Sequence, residues 1–141
     1  MTVEVKYRGE KPEKGRRQDA AYDLRAQSGG VLSAGARMLV PTGTQCAVPV
    51  GYAAMVMPRS GLALKHGVTV LNAPGLVDPD YIGDIGVILH NTGTEPFYFD
   101  AGDRIAQLMF IQTADVKLSK SQKELTASVR GDAGFGSSGV A

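Results

Sequence analysis

Two short stretches of this chain assemble the groups that polyanion chemistry needs. Pro58-Arg59-Ser60-Gly61 joins a guanidinium, a hydroxyl and a glycine at the start of a segment, Ser60 to His66, that can form one short helix with Ser60 as its cap. Backbone amides at a helix start point outward without partners and attract anions. Arg59 adds a planar fork that matches phosphate oxygens, and Ser60 can donate its hydroxyl proton to one of them. The same residues also fit a capped turn with a surface arginine. The second stretch, Gly75-Leu76-Val77-Asp78-Pro79-Asp80-Tyr81-Ile82-Gly83, carries two carboxylates beside a proline. Asp78 is the candidate general base, able to orient a water and accept its proton as attack begins. Asp and Pro are also ordinary turn formers, and Asp80 is read as nothing more. Near the end of the chain, Phe135 sits among glycines with no local core to enter. It is the candidate for stacking on a nucleobase, a contact worth ~1–3 kcal/mol in comparable sites. The glycines there lack the Gly-Lys-Ser or Gly-Lys-Thr ending of a nucleotide-binding P-loop, so that fold is not supported.

The elements that must position these groups read as strands. Glycine (18 residues) and proline (7) punctuate short apolar runs. Their spacing of roughly 8–12 residues is the habit of an all-β sandwich or barrel. The clearer strands are Val3 to Tyr7, Arg37 to Pro41, Tyr52 to Met57, Val68 to Leu71, Ile85 to Asn91, Pro96 to Phe99 and Ile105 to Gln112. Thr44 to Val48 also alternates like a strand. Ile85, Val87 and Leu89 alternate with Gly86, Ile88 and His90, which predicts burial of at least one face. The Ser60–His66 helix is too short to survive without tertiary support.

The 141 residues suit one domain, and an apolar fraction of 43% suffices for a small core. A net charge of +1 excludes a polybasic nucleic-acid binder, so a nucleotide must be recognised by placed groups and not by bulk field. Cys46, the single cysteine, can form no internal disulfide and reads as a small buried apolar residue. His66 and His90 show no metal-ligand spacing with it and read as structural. The N-terminus has no apolar signal core, and no run approaches the ~18 apolar residues of a membrane span, so a soluble, cytoplasmic protein is expected. From about Lys117 to Ser128 the chain turns polar, and Arg130 to Gly139 is glycine-rich. Such a tail cannot build its own core. The expected division is a core over residues 1–116 and a linker with a C-terminal arm over 117–141.

Five polar clusters complete the pattern: Ala20-Ala21-Tyr22-Asp23-Leu24-Arg25; Pro58 to Ala63; Asn72 with Gly75 to Gly83; Gly102-Asp103-Arg104-Ile105-Ala106-Gln107-Leu108; and Arg130-Gly131-Asp132-Ala133-Gly134-Phe135-Gly136-Ser137-Ser138-Gly139. In this order and at these intervals they resemble the five motifs of the trimeric deoxyuridine triphosphatase family, across nearly the whole chain. Ala21 and Ala133 stand where that family usually has glycine, Ile82 where a basic residue is common, and Ser138 where threonine is usual. The resemblance implies a distorted jelly-roll or β-barrel and a homotrimer with active sites shared between subunits. It also implies hydrolysis of dUTP to dUMP and pyrophosphate, with no nucleic-acid or membrane partner. By resemblance, Asp78 activates the water that attacks the α-phosphorus, and Tyr81 packs under the deoxyribose and excludes a 2′-hydroxyl. Asn72 reads the uracil edge with its amide, helped by main chain around Ile82 to Gly86, with Leu76 and Val77 lining the nucleoside. Arg59, Ser60, Gly61 and Gln107 contact the phosphates. Arg130, Gly136 and Ser137 of the arm do so from another subunit, while Phe135 stacks on uracil. The implied cofactor is Mg2+, carried on the phosphates, with Asp23 reaching it only through water.

Two other classes compete. A deoxycytidine triphosphate deaminase of the same fold needs a catalytic glutamate in the strand after this turn, where Ile88 stands. A non-catalytic nucleotide-binding or regulatory module could use many of the same residues for binding alone.

Overall fold

Alternation of apolar side chains gives most strands here one face to bury, and the chain satisfies those faces by packing short antiparallel sheets over one core. The computed structural model describes residues 1–126 and 128–136. In chain order the elements are β1 (Lys6–Gly9), β2 (Tyr22–Arg25), β3 (Gly30–Leu32), β4 (Arg37–Val40), β5 (Thr44–Ala47) and β6 (Tyr52–Met57). They continue with α1 (Ser60–His66), β7 (Val68–Val70), β8 (Gly75–Val77), β9 (Val87–Asn91), β10 (Phe97–Phe99) and β11 (Arg104–Gln112). The sheets run β2-β11-β6-β8, β4-β9-β7, β1-β5 and β10-β3, all paired antiparallel. Between them lie Leu24, Leu32, Ile85, Leu89, Ile105 and Leu108, each almost wholly excluded from solvent. The expected all-β, jelly-roll-like fold with one short helix is what forms.

Where sequence and structure differ, the reasons are local. The first strand lies further along the chain than Val3–Tyr7. It is set by pairing with β5, in which Gly9 faces Thr44, and not by a buried face, since all four of its residues are exposed. Gly9 has φ +78° and permits a close approach that any β-carbon would block, because that atom would lie 2.0 Å from the Gly43 carbonyl oxygen. Ile85 and Gly86 do not join β9. The Ile85 amide donates to the Thr44 carbonyl instead (2.8 Å), turning the chain aside before the ladder with β4 begins. Within β9, Val87, Leu89 and Asn91 are buried and Ile88 and His90 half-buried, so one face is fully enclosed. β2, β3 and β8 go unread because each offers only two apolar residues beside glycine or charge, whereas the equally short β7 and β10 are β-branched or aromatic throughout.

The helix corrects one expectation. Its cap is Arg59, in extended conformation, whose carbonyl accepts from the Ala63 amide (3.0 Å); Ser60 is the first helical residue and makes no capping bond. Leu62 packs against the core, and Gly67, in the left-handed region, ends the helix. Gly67 and Thr92 then join the helix end to the end of β9, through the Thr92 amide and hydroxyl on the Gly67 carbonyl.

Asn91, fully buried, ties three segments together. Its amide nitrogen donates to the carbonyls of Leu32 (3.0 Å) and Glu95 (2.8 Å), and its oxygen accepts from the Gly93 amide (2.9 Å). Asn91→Ala removes this partner from two carbonyls and an amide and should cost about 2–3 kcal/mol. Equilibrium denaturation at fixed protein concentration measures this, and a loss under about 0.5 kcal/mol would show the knot to be dispensable.

Candidate functional site

Strand register builds the first half of the site. On the β2-β11-β6 sheet Asp23 pairs with Gln107, and Gln107 pairs with Met57. Directly opposed residues project from the same face, so the carboxylate and the amide stand side by side, with strands about 4.8 Å apart. Two residues past Met57 the chain reaches Arg59, whose Nη1 donates to the Arg104 carbonyl (2.7 Å). Arg104 Nη1 lies 4.0 Å from the Asp23 carboxylate. Asp23, Arg59, Arg104 and Gln107 line one open cavity of about 400 Å³, with Gly15 and Asp19 on its far wall. Gathered there are two guanidinium groups and an amide, which can donate to phosphate oxygens, beside the carboxylates of Asp19 and Asp23. Ser60 and Gly61, exposed, begin the helix just beyond Arg59.

The second half is a smaller recess of about 160 Å³ lined by Asn72, Gly75, Leu76, Val77, Tyr81 and Gly86, with Asp84 and Ile88. That volume is on the scale of one small ring, and the recess adjoins a larger open cavity that shares Tyr81, Asp84, Gly86 and Ile88. The main chain and its clamps hold its shape. The Tyr81 hydroxyl donates to the Asp84 carbonyl. The Asp84 carboxylate accepts from the Thr42 amide (3.2 Å), and the buried Thr42 hydroxyl donates to the Ile85 carbonyl (2.6 Å) while accepting from the Thr44 amide (3.2 Å). Asp78 begins a turn with Pro79 at its second position, closed by the Tyr81 amide on the Asp78 carbonyl (3.1 Å). Its side chain is exposed and has no hydrogen-bond partner among the described residues.

These halves do not meet within one chain. In the β6–β8 pairing Val77 faces Ala54, so Asp78 continues toward Ala53 and away from Arg59. The six steps from Ala53 to Arg59 are extended, which puts on the order of 20 Å of backbone between the end of the strand beside Asp78 and Arg59.

The arm stands apart from both. Arg130 Nε donates to the Ala133 carbonyl (2.6 Å), Gly131 and Gly136 take positive φ, and Phe135 is wholly exposed. Ser137 lies outside the described residues, as do Ser138 and Gly139. Sequence reading passed over Arg104, Thr42 and Asp84. Arg104 lay inside a quoted cluster, but nothing in the pattern distinguished it; Thr42 and Asp84 act through contacts 42 residues apart. Cys46 is buried, which pushes its thiol above the ordinary range and matches a packing role. His66 packs on Phe97, with ring centres 5.2 Å apart.

Fold and site together define an all-β, jelly-roll-like protein with a donor-rich cleft and a separate recess for a small ring. The chain belongs to the dUTPase family, whose model matches residues 8–139. A deoxyuridine 5′-triphosphate nucleotidohydrolase of Anaeromyxobacter sp. is 48% identical over 120 residues, covering 85% of this chain and 81% of its own. Another, from Beijerinckia indica subsp. indica, is 53% identical over 109 residues, covering 77% and 68%. The fold is also that of the dUTPase of Staphylococcus bacteriophage 80alpha, solved with dUPNHPP, at a TM-score of 0.89 and 23% identity over 99% of this chain and 100% of that one. The dUTPase of phage phi11 of S. aureus, in a structure describing the coordination of a structural Mg(II) ion, gives 0.79 at 20% identity over 86% and 99%. No helix among the described residues is long and apolar enough to cross a membrane.

The Thr42 clamp generates a test. Thr42→Val leaves the Ile85 carbonyl and the Thr44 amide unsatisfied and should cost about 1–3 kcal/mol, whereas Thr42→Ser keeps the hydroxyl and should lose less. In native-state hydrogen exchange the Ile85 amide, bonded to the Thr44 carbonyl, should lose protection more than amides in β10. Equal protection in the valine and serine variants would show that the hydroxyl does not hold the recess.

Proposed function

We propose that this chain hydrolyses dUTP to dUMP and pyrophosphate, which supplies dUMP for thymidylate synthesis and limits uracil incorporation into DNA. The observation that carries this reading is the small recess that brings the Asn72 amide, the Tyr81 ring and the Gly86 main chain together. An amide supplies both the donor and the acceptor that a uracil edge requires, and main chain at Gly86 completes the pairing. Tyr81 fills the space beside the sugar where a 2′-hydroxyl would project. Leu76 and Val77 line the nucleoside. A deaminase would need a glutamate in β9 where Ile88 stands, and the Asp84 carboxylate on the same recess is engaged by the Thr42 amide.

Asp78 accepts a proton from the water attacking the α-phosphorus, and the bond to the bridging oxygen of the pyrophosphate leaving group breaks. Arg59 and Gln107 hold the phosphates, with Ser60 and Gly61 donating beside them; Arg130, Gly136 and Ser137 close over the far end, and Phe135 stacks on the base. The residues fit a magnesium ion carried by the substrate. Asp23 presents a carboxylate to the cleft and would hold the ion through its water shell, which magnesium gives up reluctantly. When bound there, the ion neutralises phosphate charge and stabilises charge developing in the transition state.

The separation of Asp78 from Arg59 supports a site shared between subunits of a homotrimer. One substrate must touch both groups at once, and a single chain holds them too far apart. In this assembly residues 1–116 form the core, and 117–141 are the linker and arm that complete a neighbouring site.

Pyrophosphate release measured separately with dUTP, dCTP, dTTP and UTP tests the activity; strong preference for dUTP is the expected result, and ammonia from dCTP would overturn it. Asp78→Asn keeps the shape of the side chain but not its proton affinity, and should lower turnover ~10²–10⁴-fold with little change in binding of a non-hydrolysable analogue. Near-normal turnover would remove Asp78 from the chemistry. The shared site has its own test. Asp78→Asn chains and chains truncated before Arg130 should each be nearly inactive, yet unfolding and refolding them together should restore about a quarter of the sites. Mixed trimers no more active than their parents would rule the shared site out.

A further inference from the structure

The strand that carries Gln107 contains an irregularity that bears on the phosphates. In a regular strand residues three apart point to opposite faces, so Arg104 and Gln107 should diverge. They instead line the same cavity. The cause is a break in the β2–β11 register between Arg104, which faces Arg25, and Ala106, which faces Leu24. The extra residue leaves Ile105 and Ala106 buried in succession and turns Arg104 onto the side of Gln107. Bulges of this kind re-aim a side chain at the cost of local ladder bonding, and they concentrate beside functional sites.

What the bulge aims is an uncommitted guanidinium. Among the described residues Arg104 makes no side-chain hydrogen bond, and its one ion pair is with Asp23 at 4.0 Å, with the Arg104 side chain 48% exposed. A pair so long and so open to water holds its cation weakly. The backbone, by contrast, is fixed: its carbonyl accepts from Arg59, which ties the two arginines together. Five donors on a planar fork therefore face a cleft of phosphate size, parked beside a carboxylate that anionic oxygens can displace.

We propose that Arg104 is a phosphate-binding residue of this site, exchanging Asp23 for oxygens of the polyphosphate when substrate enters. This rests on the proposed dUTP hydrolysis. The exchange also leaves the Asp23 carboxylate free to accept from water around the phosphates. Charge-assisted bonds lost from a polyphosphate should lower affinity about tenfold or more.

The test is calorimetric binding of α,β-imido-dUTP and of dUMP, each with magnesium, to the full chain, alongside pyrophosphate release from dUTP. Arg104→Gln should weaken analogue binding about tenfold or more and dUMP binding far less; Arg104→Lys, a point charge without the fork, should fall between. In an Asp23→Asn background the same loss should persist. If it vanishes there, or if analogue and dUMP weaken equally, or if neither changes, the assignment of Arg104 to the phosphates is overturned. A wild-type chain that neither binds nor hydrolyses dUTP overturns the proposed function itself, and is recognised without any variant.

Discussion

The nine residues of β11, held between β2 on one edge and β6 on the other, form the constraint on which the rest of the molecule depends. Six consecutive residues pair with β6, Gln107 to Gln112 against Met57 to Tyr52, while the first part of the strand pairs with β2. That register decides which polar groups share a face. A slip of one residue would send Gln107 into the core and Leu108 into the cleft. Burial on the inner face opposes such a slip, since Ile105, Ala106 and Leu108 are all enclosed. The core thus fixes the cleft: apolar side chains that take no part in chemistry set the positions of Asp23, Gln107 and Arg59 by setting the pairing.

The same constraint separates the chemistry. β8 lies on the far side of β6 and runs antiparallel to it, so its exit toward Asp78 points away from the end at which Arg59 emerges. No loop adjustment spanning on the order of 20 Å is available to a turn closed at Asp78–Tyr81 and clamped through Asp84 to Thr42. The two halves are individually rigid and mutually distant, which is what a shared site requires of each contributor. Exposed apolar groups lie close to the recess, among them Leu39, Leu76 and Ile82. In the proposed trimer they have apolar surface to meet, and on a lone chain they do not.

Legibility in the sequence followed the range of the interactions. Strands long enough to show alternation, such as β6 and most of β9 and β11, were readable because their period is local. β3 and β8 were not: each opens on glycine with only two apolar residues, whereas the equally short β7 and β10 are β-branched or aromatic throughout. Of the site, Asp78, Tyr81, Asn72, Arg59 and Gln107 stood in recognisable clusters, and the fold sets Asn72 beside Tyr81 and Arg59 beside Gln107. The Thr42 clamp was invisible, because a threonine in Pro41-Thr42-Gly43 reads as any turn residue until its hydroxyl is seen on the Ile85 carbonyl. Arg104 was hidden for a different reason. Strand alternation directs it away from Gln107, and only the bulge reverses that.

The arm shows how an incomplete local structure can become a selective one. Here Arg130 closes a small loop on the Ala133 carbonyl and Phe135 is wholly exposed. In the proposed site those contacts become a charge-assisted bond to phosphate, worth about 1.5–3 kcal/mol, and a stack on the base, worth about 1–3. Against them stands the cost of fixing the backbone from Arg130 to Gly136, about 1–2 kcal/mol for each residue ordered. Gly131 and Gly136 enlarge that cost, because glycine has the most conformational freedom to lose. Over these seven residues the cost exceeds either contact alone and both together, so closure also needs backbone amides of the glycine-rich stretch to bond the phosphates. A nucleoside monophosphate offers the base without the distal phosphates, and a bare polyphosphate offers the reverse, so each leaves the arm open. Closure then requires base and distal phosphate together, at the one length that lets Phe135 and Arg130 engage at once. In the proposed reaction, hydrolysis would remove that condition, since the product retaining the base lacks the distal phosphate assigned to Arg130.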